Sequence, residues 1–303
     1  MNRREFLALM SVLANGCATT SGGAPWPRST RPPNIVFILA DDLGWADLGC
    51  YGSTLHETPN LDSLAHQGMR FTQAYAAAPV CSPTRASIIT GKYPARLHLT
   101  NFLKGTRSPE DSPVITAPYA DQLELSEVTI AEALKTAGYR TAQIGKWHLG
   151  KAPHTPDNQG FDAWKGRGDG VNSYFWPEWK KSVAMDGDYE GQHIAEKLAR
   201  EAAAFIEENR DGPFFLNLCH FSVHIPIQAP REKVAKYQAK LDASPPAPGR
   251  QSNPHYAAMV ECLDDSVGVV LDAIDRAAIG QDTIVIFFSD NGGLSVVEGA
   301  FTP

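Results

Sequence analysis

Two short runs of oxygen-bearing side chains each close an apolar stretch. Asp41-Asp42-Leu43-Gly44 follows NIVFILA at 34–40, and Ser289-Asp290-Asn291-Gly292-Gly293 follows the β-rich run 283–288. Carboxylates and an amide oxygen gathered at two strand ends make an oxygen cage for a hard divalent cation such as calcium or magnesium. Each run alone also reads as a turn, since Asp-Asp before Gly is a common helix cap and Asn-Gly a common hairpin corner. A third run, Cys81-Ser82-Pro83-Thr84-Arg85, puts a thiol at a helix start with a guanidinium one turn on. That positive field favours a thiolate or another anion, and the plain alternative is a buried structural thiol. Lys146 and His148 alternate along a strand end, where two exposed polar residues need no function. His220 and His224 are spaced like a helical metal pair, but 214–219 reads as a strand and breaks that geometry. Trp164, Trp176 and Trp179, near Arg167, Lys180 and Lys181, offer stacking for a sugar ring and a second anion site. Loop packing is the stronger reading of them.

The elements that must position these groups alternate. Apolar or β-rich runs at 34–40, 141–144, 214–219 and 283–288 read as strands. The run at 34–40 is continuously apolar after its first residue, as a strand covered on both faces requires. Helical patterns occupy 58–67, 83–90, 127–137, 194–209, 231–241 and 255–278. This β-then-α order predicts an α/β fold, a mostly parallel central sheet with helices on both faces. Ligands in such sheets bind beyond the carboxyl ends of the strands, where the polar runs lie. The Pro-rich piece 244–254 and the Gly- and Trp-rich piece 164–179 read as loops.

Composition bounds the partners. The chain has 303 residues, 43% hydrophobic and 20% charged, with 27 basic against 34 acidic side chains, enough apolar material for one large domain or two ordinary ones. The acidic balance argues against nucleic acid as a partner, because phosphate neutralisation needs clustered Lys and Arg. An anionic ligand must therefore meet a local positive site. No apolar run approaches the ~20 residues of a bilayer span. The cysteines, Cys17, Cys50, Cys81, Cys219 and Cys262, lack the paired spacing of zinc or redox motifs. Arg3 and Arg4 before the apolar stretch 6–14 form the n- and h-regions of an export signal similar to a twin-arginine leader. Cys17, just after it, is the candidate site of a lipid anchor, although Asn15 fits the lipobox poorly. The Ser-, Gly- and Pro-rich stretch 19–33 reads as a tether. The expected organisation is thus an export signal and tether over 1–33 and a catalytic domain over 34–303, in the periplasm or at the cell surface.

The stretch from Cys81 to Gly91 resembles the signature C-x-P-x-R-x-x-x-x-T-G of the formylglycine-dependent type I sulfatases, within the alkaline phosphatase superfamily, and matches it at Cys81, Pro83, Arg85, Thr90 and Gly91. The segment 41–49 is similar to the family's first metal-ligand motif, Gly145-Lys146-Trp147-His148-Leu149-Gly150 to its second signature, and Asp290-Asn291-Gly292-Gly293 to its later metal pair. His224, in Val223-His224-Ile225-Pro226, matches a histidine before an x-Pro step. The resemblance implies hydrolysis of sulfate esters, on a sulfated saccharide or an aryl sulfate. It implies that a separate formylglycine-generating maturation enzyme oxidises Cys81 to an aldehyde, whose hydrate attacks the sulfate sulfur. It implies that Asp41, Asp42, Asp290 and Asn291 hold calcium, or magnesium, beside that nucleophile. Arg85 and Lys146 would position the hydrate and the sulfate. His224 would protonate the leaving alcohol, and His148 would take the proton from the second hydroxyl so that the aldehyde reforms. A phosphodiester or phosphonate hydrolase on the same scaffold is the enzymatic alternative. In the family a glycine-lysine-glycine segment and a smaller C-terminal subdomain follow the loop after the later metal pair. Pro303 falls within that loop, so the resemblance also leads to the expectation of a truncated, inactive remnant.

Overall fold

The computed structural model describes residues 31–105, 108, 111–185, 192–247 and 249–294. The export signal, Cys17, most of the tether and the end of the chain after residue 294 lie outside them. The chain divides into two compact units, 1–32 and 33–303. Everything below concerns the second.

Its elements follow in the order β1 (Asn34–Ala40), α1 (Pro59–Gln67), α2 (Cys81–Thr90), α3 (Ile130–Thr136), β2 (Arg140–Gly145), β3 (Ala163–Lys165), α4 (Ile194–Asn209), β4 (Phe214–Cys219), α5 (Arg231–Ala243), α6 (Pro254–Arg276) and β5 (Thr283–Ser289), with short 3₁₀ turns between. The strands form one sheet in the order β3-β2-β4-β1-β5, and every pairing among them is parallel. β4 is buried along its whole length, as a central strand covered on both faces must be.

Side-chain alternation assigns the faces. Val36, Ile38 and Ala40 of β1 and Phe214, Leu216 and Leu218 of β4 pack into one apolar cluster with α4 and α6. Ile35 and Phe37 of β1 and Phe215 of β4 point the other way, into a second cluster with Ala86 and Ile89 of α2 and Ala131 of α3. The expected α/β fold with helices on both faces is thus the fold found.

Element ends differ where local chemistry decides them. The helical pattern at 127–137 begins only at Ile130, because Thr129 caps it: its hydroxyl accepts from the Glu132 amide at 3.1 Å, while Glu132 accepts from the Thr129 amide at 2.8 Å. α2 starts two residues earlier than Pro83 suggested, since a proline in the first turn gives up no intrahelical hydrogen bond. The piece expected as a loop from Trp164 instead opens with the three-residue edge strand β3, too short to show a period.

Gly145 ends β2 with φ +90°, and a Cβ there would lie 2.0 Å from the Cys219 carbonyl oxygen. The left-handed conformation and the close approach to β4 both require glycine. Gly145→Ala is therefore expected to cost ~3 kcal/mol or more, combining backbone strain with overpacking, and to lower the thermal unfolding midpoint by several degrees.

Candidate active site

The carboxyl ends of β1 and β5 lie side by side, with Ala40 paired to Ser289, so the next residues, Asp41 and Asp290, emerge as neighbours. Their backbones interlock: the Asp290 amide donates to the Ala40 carbonyl at 3.1 Å, and the Asp42 amide to Asp290 Oδ1 at 3.2 Å. Asp42 holds a left-handed φ of 60°, an uncommon conformation for a residue other than glycine and of a kind found where surrounding contacts over-determine the backbone. Asn291 Nδ2 donates to Asp42 Oδ1 at 2.6 Å, and His224 Nε2 lies 3.6 Å from Asp42 Oδ2.

α2 aims its first residue and Arg85 into this corner. Arg85 Nη2 reaches Asp290 Oδ2 at 2.7 Å and Asp41 Oδ1 at 3.1 Å, and its Nε reaches Asp290 Oδ2 at 3.0 Å. Lys146, in the turn after β2, donates from Nζ to Asp41 Oδ2 at 2.6 Å. Asp41, Asp290, Arg85 and Lys146 are all buried. A carboxyl oxygen of Asp41, one of Asp290 and the Cys81 sulfur lie within 4.8 Å of one another.

Charge explains the titration of this cluster. Burial alone would raise Asp41, but the Lys146 and Arg85 charges outweigh it and hold the carboxyl below the usual range. Asp290 is pushed up to about 6 by burial and by the Asp41 charge, against the pull of Arg85. Lys146 and Arg85 are raised: burial opposes, and the carboxylates win. Buried pairs of this kind add little net stability, yet removing one partner costs about 3–5 kcal/mol because the other is stranded.

Of the two readings of the unmodified Cys81, an ionised thiolate and a buried thiol, the surroundings favour the second. Burial pushes its thiol up, with Asp41 and Asp290 adding to the shift and offsetting the pull of Lys146 and Arg85. The unmodified side chain is therefore a neutral thiol at neutral pH and a poor nucleophile.

Lys146 and His148 do not alternate along a strand. β2 stops at Gly145, and His148 takes a left-handed φ of 56° in the following turn. Among the described residues, His148 makes no hydrogen bond to the cluster. Its backbone amide donates to Asp169 Oδ1 at 3.1 Å, Nε2 sits 3.4 Å from the Leu103 carbonyl, and Nδ1 is buried without a partner among the described residues. Burial first, then the Lys146 and Arg85 charges, depress its pKa to about 3. The ring is neutral, and with Nε2–H on Leu103 its free lone pair is on Nδ1. A cavity of about 900 Å³ opens on His148 and Asp169, with Lys104, Ile115, Tyr119 and Lys151 among its walls, a volume suited to a small ligand.

Other expectations resolve into packing. His220 is buried with Nε2 on Ser266 Oγ at 3.2 Å, away from His224. Trp179 is fully buried with the Trp176 ring edge-on at 5.1 Å, while Lys180 covers Trp176 and Arg167 covers Trp164. Asp169 and the buried amides Gln143 and Asn217 escaped the sequence reading. The two amides left a signal there, as polar residues inside apolar strand runs.

The buried histidines set an acid limit on the fold. His148 and His220 are depressed to about 3 and His193 to about 4, mainly by burial, and His56 shifts the same way. Below the ordinary value of 6.5 the unfolded chain binds protons that the folded chain refuses, so stability falls as pH drops. Asp290, raised to about 6, opposes by one proton over part of that range. We expect a net loss of roughly 4 kcal/mol per pH unit at most, read as falling urea midpoints from neutrality down to about pH 5.

The cluster can hold a hard cation. Asn291 Oδ1 is a buried acceptor without a partner among the described residues, and it belongs to the same corner as the Asp41, Asp42 and Asp290 carboxylates. Three carboxylates face two cationic side chains, so the five carry one net negative charge. A bound divalent cation would turn the site net positive and complementary to an anionic substrate.

Comparison with known proteins identifies the family rather than the site. The family model described as Sulfatase matches residues 33–299. N-acetylgalactosamine-6-sulfatase of Rattus norvegicus is 34% identical over 309 residues, covering 94% of this chain and 53% of that protein. Steryl-sulfatase of Mus musculus is 31% identical, covering 96% of this chain and 56% of that protein. The crystal structure of Ps i-CgsB, also solved with k-i-k-neocarrahexaose, superposes with a TM-score of 0.72 at 34% identity, covering 87% of this chain and 59% of that one. The chain spans about half the length of the curated relatives it matches.

Proposed function

Because the chain belongs to the sulfatase family, we propose that its buried corner is the reaction centre of an enzyme that hydrolyses sulfate esters on saccharides. The observation that carries the reading is the convergence of Cys81, Asp41 and Asp290 within 4.8 Å, with Arg85 and Lys146 paired to the carboxylates. We place calcium, or magnesium, among Asp41, Asp42, Asp290 and Asn291, where it would supply Lewis-acid stabilisation of charge on sulfate oxygens. We assign Cys81 as the residue that a formylglycine-generating enzyme converts, supplying as its hydrate the oxygen nucleophile that the high-pKa thiol does not provide.

The chain's own side chains account for the rest. Arg85 and Lys146 present N–H donors already oriented by Asp41 and Asp290, so little reorganisation is needed when a sulfate arrives. We assign His148 to take the second hydroxyl proton at its free Nδ1, a role that its depressed pKa opposes until the negative charge of the bound sulfate offsets Lys146 and Arg85. We assign His224, partly exposed with Nε2 3.6 Å from Asp42 Oδ2, to deliver a proton to a departing alcohol oxygen. The saccharide body would occupy the cavity beside His148. A saccharide substrate is supported by the N-acetylgalactosamine-6-sulfatase relatives and by the structure solved with neocarrahexaose.

We assign 34–303 to the catalytic domain and 1–33 to an export signal and tether, with Cys17 the candidate lipid site and the periplasm or cell surface the destination. Among the described residues, no helix is long and apolar enough to cross a membrane. The phosphonate alternative has no specific support, since the likeness to a phosphonate monoester hydrolase, at 19% identity and a TM-score of 0.58, is one of fold. The test is to produce the protein with a maturation enzyme and assay aryl sulfate against aryl phosphonate. Preferential turnover of the sulfate supports the reading, and preferential turnover of the phosphonate overturns it.

A further inference from the structure

Gln143 and Asn217 sit opposite each other on β2 and β4, both buried, on the sheet face that carries α2. Central parallel strands ordinarily fill such positions with Val, Ile or Leu. An amide there must find partners or lose its solvation without return. The partners form a directed chain. Asn217 Nδ2 donates to Gln143 Oε1 at 2.6 Å, and Gln143 Nε2 donates to the Lys146 carbonyl at 3.1 Å. The same carbonyl accepts from Arg85 Nη1 at 3.3 Å, and the Lys146 amide donates to the Cys219 carbonyl at 2.9 Å.

Lys146 follows Gly145, whose left-handed φ lets the backbone leave the strand, so the peptide plane of the Lys146 carbonyl is fixed from outside the ladder: its N–H, that of Trp147, donates to the Gly168 carbonyl at 3.2 Å. The carbonyl of that plane is held by Gln143 and Arg85. We infer that the Gln143–Asn217 amide pair is a positioning device for the Lys146 turn, and that it orients the Lys146 ammonium toward the sulfate site. Asn217 acts through Gln143, and Gln143 through the Lys146 carbonyl. The pair spends two buried amides on one backbone oxygen and leaves Asn217 Oδ1 without a partner among the described residues, a cost that packing alone does not explain.

This inference rests on the proposed sulfate site, so its test separates the two. Affinity for inorganic sulfate is measured by calorimetry with calcium present, alongside the thermal unfolding midpoint, in wild type, Gln143→Met, Asn217→Leu and the double variant. Each single change should weaken sulfate about tenfold, the scale on which a misplaced charge-assisted contact is felt, and should also lower the midpoint. The double change leaves no amide stranded, so its midpoint should recover toward wild type. Its sulfate affinity should stay about tenfold down, because the Lys146 carbonyl still lacks the Gln143 donor and keeps only that of Arg85. Recovery of sulfate affinity together with the midpoint would show a merely structural pair and overturn the inference. If the double variant does not fold, Gln143→Met decides alone, with about tenfold weaker sulfate supporting the inference and wild-type affinity overturning it. A wild-type protein that does not bind sulfate overturns the sulfate site itself, and the positioning role with it.

Discussion

Cys81→Ser protein, made in an aerobic host whose maturation enzyme oxidises only cysteine, is expected to turn over an aryl sulfate on the order of 10⁶-fold more slowly than wild type, the scale set by loss of an enzymic nucleophile. Serine matches cysteine in size and can occupy the first position of α2 without disturbing Arg85. The thermal midpoint should therefore stay close to wild type while activity disappears. The serine hydroxyl in this corner has no histidine base among the described residues, the nearby Asp41 and Asp290 carboxylates are engaged by Arg85 and Lys146, and burial already pushes the native thiol up. Neither side chain offers an anion at neutral pH, so catalysis depends on what oxidation adds. A Cys81→Ser enzyme with wild-type turnover would remove the aldehyde from the account.

Asp290→Ala should abolish both calcium binding and activity, and it should also destabilise the fold. The substitution deletes one of the four assigned cation-binding side chains and leaves Arg85, held at 2.7 Å by Asp290, with the 3.1 Å contact to Asp41 as its remaining carboxylate. Stranding part of a buried charge costs about 3–5 kcal/mol. Loss of a direct ligand should weaken calcium by more than about 100-fold, beyond what loss of a supporting group does. Asp290→Asn keeps the shape and separates the two effects, with smaller destabilisation and a comparable loss of calcium. The titration adds a signature. Asp290 protonates below about 6 in the metal-free protein and must be ionised to bind a cation, so calcium affinity should fall up to about tenfold per pH unit below that value. Calorimetry across that range reads it directly, and a flat profile would remove Asp290 from the cation site.

How much of this was legible in the sequence differs by element. β1, α4 and β4 were readable to the residue because continuous apolar runs or a clean helical period end at obvious breaks. The convergence of Asp41 with Asp290 was readable because residues that end adjacent parallel strands must be neighbours, and the motif order narrowed which strands those were. The choice between a thiolate and a buried thiol at Cys81 stayed open for a reason that the sequence does not carry. A helix N-terminus and an arginine argue for ionisation only if the thiol stays hydrated, and here Asp41, Asp290 and burial reverse the balance. Lys146 and His148 were read at the end of a strand spanning 141–144, but their turn was not legible, because Gly145 is an ordinary letter until its positive φ and its close approach to the Cys219 carbonyl are known. Gln143 and Asn217 were visible as breaks in apolar runs, but their purpose depends on cross-strand register, which a single chain of letters does not state.

The central claim is that residue 81 is the reacting group and that it reacts as an aldehyde. Tryptic cleavage after Arg70 and Arg85 releases the peptide 71–85 with residue 81 inside it. From active protein made with a maturation enzyme, that peptide should be lighter than its sequence mass by one sulfur and two hydrogens, less one oxygen, and should form a hydrazone with a hydrazine reagent. An active preparation whose peptide retains the full cysteine mass and ignores the reagent would contradict the account.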